Sequence, residues 1–241
     1  SFLPRHQKNH ILLIHCIFTG GDKSMHPLMA LGMLKHALFF LAIAAAATRM
    51  ARGSDPDIIS DFVLPPNVTS GAPLDGDFFT YTGMRWVADA GENRGAPLTV
   101  AEATVAQFPA LSGESVSMAV LLFQPGAVNP PHTHPRSAEL LFHGKGSLEV
   151  GFVDTTNKLY TQTLQPGDMF VFPKGLLHYQ HCSGQREPCT AISAFGSASA
   201  GTVPVPGSVF TTGIDDVILA KALETNPATI RQIKAGFAHK A

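Results

Sequence analysis

The run Ser115 to Gln124, SVSMAVLLFQ, begins by alternating polar and apolar positions and ends continuously apolar, a pattern that predicts the first β-strand of the core. Downstream the period of two returns. SLEVGFVD (147–154) and LYTQTLQ (159–165) alternate on either side of Thr155–Lys158, which predicts a β-hairpin. MFVFP (169–173) is a further short strand between turns at Gln165–Asp168 and Lys174–Leu177. After Pro206 the period lengthens: Asp215 and Asp216 open the helical pattern VILAKALETN, Asn226-Pro227 interrupts it, and ATIRQIKAGF resumes it, so two short amphipathic helices are expected. Ahead of the strands, 54–109 reads as a mostly irregular arm in which DFVLPP, SGAPLDGDFF and YTGMRWV are short apolar pieces cut by Pro and Gly. Those pieces are expected to pack on the strands or on a neighbouring subunit. Many short strands joined by turns, with 22 Gly and 18 Pro in 241 residues, place the chain in the all-β class.

The first part of the chain has a different character. Lys35 and His36 precede ALFFLAIAAAA (37–47), an apolar run ending in small residues. Crossing a bilayer takes about twenty apolar residues, so this run is read as the core of a secretory signal peptide at 25–53 and not as a membrane span. Cleavage is expected between Ala47 and Ser54. Residues 1–24 are read as an upstream extension outside the fold, because His6, His10 and His15 have no turn or carboxylate pattern around them. The folded domain is then 54–241, divided into the arm (54–109), a barrel core (110–205) and the C-terminal helices (206–241). Seventeen basic and 18 acidic side chains leave a net charge of −1, which favours neither nucleic acid nor an anionic membrane as partner. Secretion makes Asn67-Val68-Thr69 readable as an N-glycosylation site. It also leaves Cys182 and Cys189, on either side of the loop 183–188, as either a cross-strand disulfide or two free thiols.

The chemistry concentrates in GAVNPPHTHPRSAELLFHGKG (126–146). His132 and His134 alternate across one residue, so in an extended strand both imidazoles point to one face, and Glu139 follows five residues later. A fourth donor comes from GDMFVFPKGLLH (167–178), whose turns deliver His178. Three imidazoles and one carboxylate form a nitrogen–oxygen donor set that suits manganese, iron, zinc or copper better than a metal that prefers thiolates. Asn129 and the two prolines after it fix the backbone ahead of the histidines, and His143 shares the strand face of Glu139 and Leu141, beside or behind the site. Strand parity turns Tyr179 and His181 away from the face of His178.

The spacing Gly126-x5-His132-x-His134-x4-Glu139-x6-Gly146, followed by Gly167-x5-Pro173-x-Gly175-x2-His178, resembles the paired boxes of the cupin superfamily, and NPPHTHPR with GDMFVFPKGLLHYQ resembles the plant germin-like proteins from about Ser54 onward. The resemblance implies a jelly-roll β-barrel with short C-terminal helices, Mn²⁺ on His132, His134, Glu139 and His178, a hexamer built from dimers, and residence in the apoplast or cell wall. It implies superoxide dismutation with hydrogen peroxide as product, in a defence or stress role. Oxalate oxidation is a second implied activity: Asn129 matches one asparagine of the germin substrate pocket, whereas Ala119 stands where the other would be and lacks the amide that orients a dicarboxylate. A receptor (auxin-binding-like) or storage protein with a structural metal is the third. Two features depart from the family. No cysteine stands in SDPDIISDFVLPPNV, where many germin-like proteins carry a disulfide, and Cys182 replaces the Asn that usually follows the last histidine by four.

Overall fold

The computed structural model describes residues 36, 38, 55–66, 74–90, 95–184 and 186–238. Two compact units divide the chain, Ser1–Arg52 and Gly53–Ala241; of the first, only His36 and Leu38 are described, both helical. The signal peptide, its cleavage point, the upstream extension with its histidines, and the sequon at Asn67 lie outside the described residues. Among the described residues no helix is long and apolar enough to cross a membrane.

The second unit is built on two five-stranded antiparallel sheets. One runs β1 (Leu98–Ala103), β2 (Ser117–Phe123), β9 (Cys189–Phe195), β4 (Glu139–Lys145), β7 (Met169–Phe172). The other runs β10 (Val203–Pro204), β3 (Val128–Thr133), β8 (Leu177–Cys182), β5 (Leu148–Val153), β6 (Leu159–Leu164). The chain crosses from one sheet to the other between β2 and β3, β3 and β4, β4 and β5, β6 and β7, β7 and β8, β8 and β9, and β9 and β10, which is the jelly-roll connection. The predicted hairpin is β5–β6, paired from Leu148↔Leu164 to Val153↔Leu159, with Asn157 in the left-handed region at φ 63°.

The core lies between the sheets, where Leu121, Phe123, Leu141, Leu148, Val150 and Phe172 meet the buried Cys182 and Cys189. Alternation puts these side chains inside: along β4, Glu139, Leu141 and His143 are buried while Leu140 and Phe142 are exposed. The continuously apolar β2 has a separate explanation. Ala119, Leu121 and Phe123 face the core, and Val120 and Leu122 face outward under Met84, Trp86 and Val87 at the helix α1 (Arg85–Ala90). Residues 54–109, expected to be mostly irregular, therefore contribute both an edge strand, β1, and a covering helix. Asp55 ties the start of this segment to the barrel, accepting hydrogen bonds from Ser197 Oγ and Ala198 N, both at 2.6 Å.

At the C-terminal end, a helix α2 (Val205–Phe210) precedes the two expected ones, α3 (Asp216–Ala222) and α4 (Pro227–Ala238). Asp215 caps α3 by accepting from the amides of Val217 and Ile218. Leu219, Ala220 and Ile230 pack with Val209 and Phe210, so the helices hold a small core of their own. Elsewhere apolar side chains stay open. Leu140 lies between Val171 and Ala194, and Phe142 between Met169 and Ile192, so register gathers exposed Leu140, Phe142, Met169, Val171 and Ile192 into one patch on the outer face of the first sheet.

Cys182 and Cys189 are bonded, joining the end of β8 to the start of β9. Gly146 makes this possible: its φ is 88°, and a Cβ there would lie 2.8 Å from Cys189 Sγ and 2.7 Å from the Pro188 carbonyl. Closing so short a loop removes modest entropy from the unfolded chain, so Cys182→Ala with Cys189→Ala is expected to lower stability by about 2 kcal/mol with the barrel retained, as read by urea unfolding.

Candidate metal centre

β3 brings His132 and, just past its end, His134 to the inner side of the second sheet; β4 opens with Glu139, and β8 carries His178 opposite His132 in the ladder. Pro130 and Pro131 break that ladder, with register shifting between Asn129 and His132. The ligand-type atoms of His132, His134, Glu139 and His178 all lie within 4.8 Å of one another, and all four residues are buried. Packing holds the rings: Phe172 stacks on His178 with centroids 4.4 Å apart, and Phe195 meets His134 edge-on at 4.8 Å.

Each imidazole is also held by a backbone carbonyl. His132 Nδ1 lies 2.8 Å from Pro130 O, His134 Nδ1 2.6 Å from Gly201 O, and His178 Nδ1 2.9 Å from Leu176 O. A carbonyl only accepts, so Nδ1 carries a proton in all three rings, and in each neutral ring Nε2 carries the lone pair. Gly201 reaches His134 because it has φ 72° and no side chain; a Cβ would meet the Arg136 guanidinium at 2.6 Å. Inside this frame the Nε2 atoms of His134 and His178 stand 3.1 and 3.2 Å from Glu139 Oε2. Neutral rings would thus aim lone pairs at a carboxylate oxygen, an arrangement that a cation between them satisfies. The residues present fit a divalent ion, with three imidazole nitrogens and one carboxylate oxygen as donors.

The other carboxylate oxygen has different partners. Oε1 of Glu139 accepts from Ser193 Oγ at 2.6 Å and Gln180 Nε2 at 3.3 Å, and Gln180 Oε1 accepts from Asn129 Nδ2 at 2.7 Å. Burial alone would raise the Glu139 pKa, but in the metal-free protein, where protons on the facing imidazoles take the place of a cation, contacts from His134 and His178 and the Ser193 hydrogen bond outweigh it and hold the carboxyl at about 2. Burial, with His178 next to it, lowers His132 to about 4, so its ring is neutral at physiological pH.

The four donors predicted from spacing are therefore assembled. Asn129 and Ala119 both line the adjoining cavity of about 400 Å³, with Val100, Leu121 and Phe195. His143 is not on that wall: its Nε2 lies 3.0 Å from the Gly146 carbonyl, and its buried Nδ1 has no hydrogen-bond partner among the described residues. Tyr179 and His181 sit on the opposite face beside Glu149, as parity required. Gln180, Ser193 and Gly201 were not singled out in advance. The parity that set Tyr179 and His181 aside would have selected Gln180, two residues after His178; nothing local marks Ser193 or Gly201.

Residues 92–231 match the cupin family. A germin-like protein 9-2 from Oryza sativa subsp. japonica is 54% identical over 215 residues, covering 87% of this chain and 97% of that protein. Germin-like protein 9-3 of the same organism is 53% identical over 203 residues, covering 83% and 94%. Among solved structures, an oxalate oxidase in complex with the substrate analogue glycolate superposes with a TM-score of 0.69 at 31% identity, covering 78% of this chain and 100% of that one.

The lowered pKa of His132 gives a pH dependence. Its folded value lies below its unfolded value of 6.5, so its contribution is complete above pH 6.5 and is lost as pH falls toward about 4, where the unfolded chain has taken a proton that the buried ring refuses. Urea unfolding of metal-free protein is expected to show a loss of about 2–3 kcal/mol between about pH 7 and about pH 4. A flat profile would mean that the ring is not held neutral.

Proposed function

The chain belongs to the cupin family, in its germin-like branch, and from that premise we propose that it is a secreted manganese protein that dismutes superoxide. The observation that carries this reading is the convergence of three imidazole lone pairs and one carboxylate oxygen in a buried site at the wall of a cavity. His132, His134, Glu139 and His178 would hold Mn²⁺. Three neutral rings and one carboxylate leave a divalent ion with a net charge of +1, which draws in small anions. A redox-capable ion held there supplies one-electron chemistry: two superoxide anions and two protons from solvent give one O₂ and one hydrogen peroxide. The chain's own part is to keep the Nε2 lone pairs aimed inward, through the carbonyls of Pro130, Gly201 and Leu176, and to keep the surroundings apolar with Phe172 and Phe195.

Secretion, with residence in the apoplast and a role in defence, is supported by the apolar segment 37–47 and by the bonded Cys182–Cys189 pair, which suits an oxidising compartment. A homo-oligomer, a hexamer by family resemblance, is supported by the apolar outer patch of Leu140, Phe142, Met169, Val171 and Ile192, which association would cover.

Oxalate oxidation is the second reading, favoured by the likeness to an oxalate oxidase and by Asn129 on the cavity wall. Against it, Ala119 presents a methyl to the same cavity where an amide would be needed to orient a dicarboxylate.

Metal analysis and a superoxide assay on one sample decide between catalysis and a structural ion. Roughly one manganese per chain is expected, with activity lost on stripping and regained on refilling. Bound manganese without dismutation would move the reading to a non-catalytic receptor or storage role. Ala119→Asn is expected to raise oxalate turnover at unchanged manganese content, and no rise would remove that position from the argument.

A further inference from the structure

Glu139 uses its two oxygens differently, and the groups that cause this come from both sheets. Ser193, on β9 of the carboxylate's own sheet, donates to Oε1 at 2.6 Å; Gln180, on β8 of the opposite sheet, reaches the same oxygen at 3.3 Å. Oε2 is left facing the Nε2 atoms of His134 and His178. Ser193, Gln180 and Glu139 are all buried, so these contacts are shielded from competing water.

The polarity of the chain of contacts is fixed by its end. A carboxylate only accepts, so Gln180 must turn its amide nitrogen toward Glu139 and its carbonyl toward Asn129. Asn129 must then present its own amide nitrogen to Gln180, which it does at 2.7 Å. Its Nδ2 is thus committed to the carboxylate's support, although Asn129 stands on the cavity wall.

We propose that Ser193, Gln180 and Asn129 are positioning residues that clamp Glu139 through Oε1, so that it offers a divalent cation the single oxygen Oε2, and that Asn129 acts on the metal site through Gln180. The proposal rests on the metal-binding reading given above. Without the clamp the carboxyl group is free to turn and bring Oε1 to the ion, which changes the number and symmetry of oxygen donors.

The test uses the full secreted protein and manganese alone as probe, with affinity by titration and the electron paramagnetic resonance spectrum of bound Mn(II) as readouts. Ser193→Ala is expected to weaken manganese binding by about 10–100-fold and to alter the fine structure of the spectrum, because partners that orient ligands carry effects of that size. Ser193→Thr keeps the hydroxyl, so affinity and spectrum should return. Asn129→Ala is expected to shift the spectrum in the same direction, and to have no further effect once Gln180→Leu is present, since the two act in series. Wild-type protein that binds no manganese would overturn the metal reading itself. Wild type that binds, with Ser193→Ala or Asn129→Ala indistinguishable from it in affinity and spectrum, would overturn the clamp alone.

Discussion

A carboxylate that is 2% exposed inside an apolar barrel is costly unless something compensates its charge, and Glu139 is such a group. Its two oxygens are satisfied by different means: neutral donors from β8 and β9 on one side, and on the other the imidazoles of His134 and His178, in a cluster that fits a divalent ion. That requirement explains much of the architecture around it. Strands of both sheets must approach one point, which a jelly roll achieves by alternating sheets at nearly every connection. The aromatic rings of Phe172 and Phe195 pack on His178 and His134 without adding polar groups that would themselves need partners.

The donors were readable from the amino-acid order because strand parity is a local property. His132, His134, Glu139 and His178 declare themselves by residue type and spacing, and parity alone removed Tyr179 and His181. The β5–β6 hairpin and helices α3 and α4 were legible for the same reason, each carrying its own turn or cap. What was not legible depends on partners far along the chain. LTVAEA becomes β1 by pairing with β2, and the helix at Arg85–Ala90 makes sense only as a cover over Val120 and Leu122. A buried Ser193 looks like any strand serine until Glu139 is placed 2.6 Å from it. His143 shows the converse. Parity put it on the inner face correctly, but it is four positions along β4 from Glu139, and the strand carries it to Gly146 and away from the cavity.

The two cysteines illustrate how one physical feature serves both fold and site. Bonding them pins the end of β8, the strand that supplies His178 and Gln180, to the start of β9, which supplies Ser193. The bond stands at the far end of these strands from the donors, so it constrains their relative placement without entering the polar cluster.

The three imidazoles take their orientation from the main-chain oxygens of Pro130, Leu176 and Gly201. Such oxygens belong to every residue type and are not lost by any single codon change that leaves the backbone path intact. The apparatus that aims the rings is therefore inherited with the path of one strand and two loops, and, Gly201 apart, side chains around it are free to drift. A barrel of this kind can change its cavity wall, and with it what enters, while the orientation of its histidines passes on unaltered.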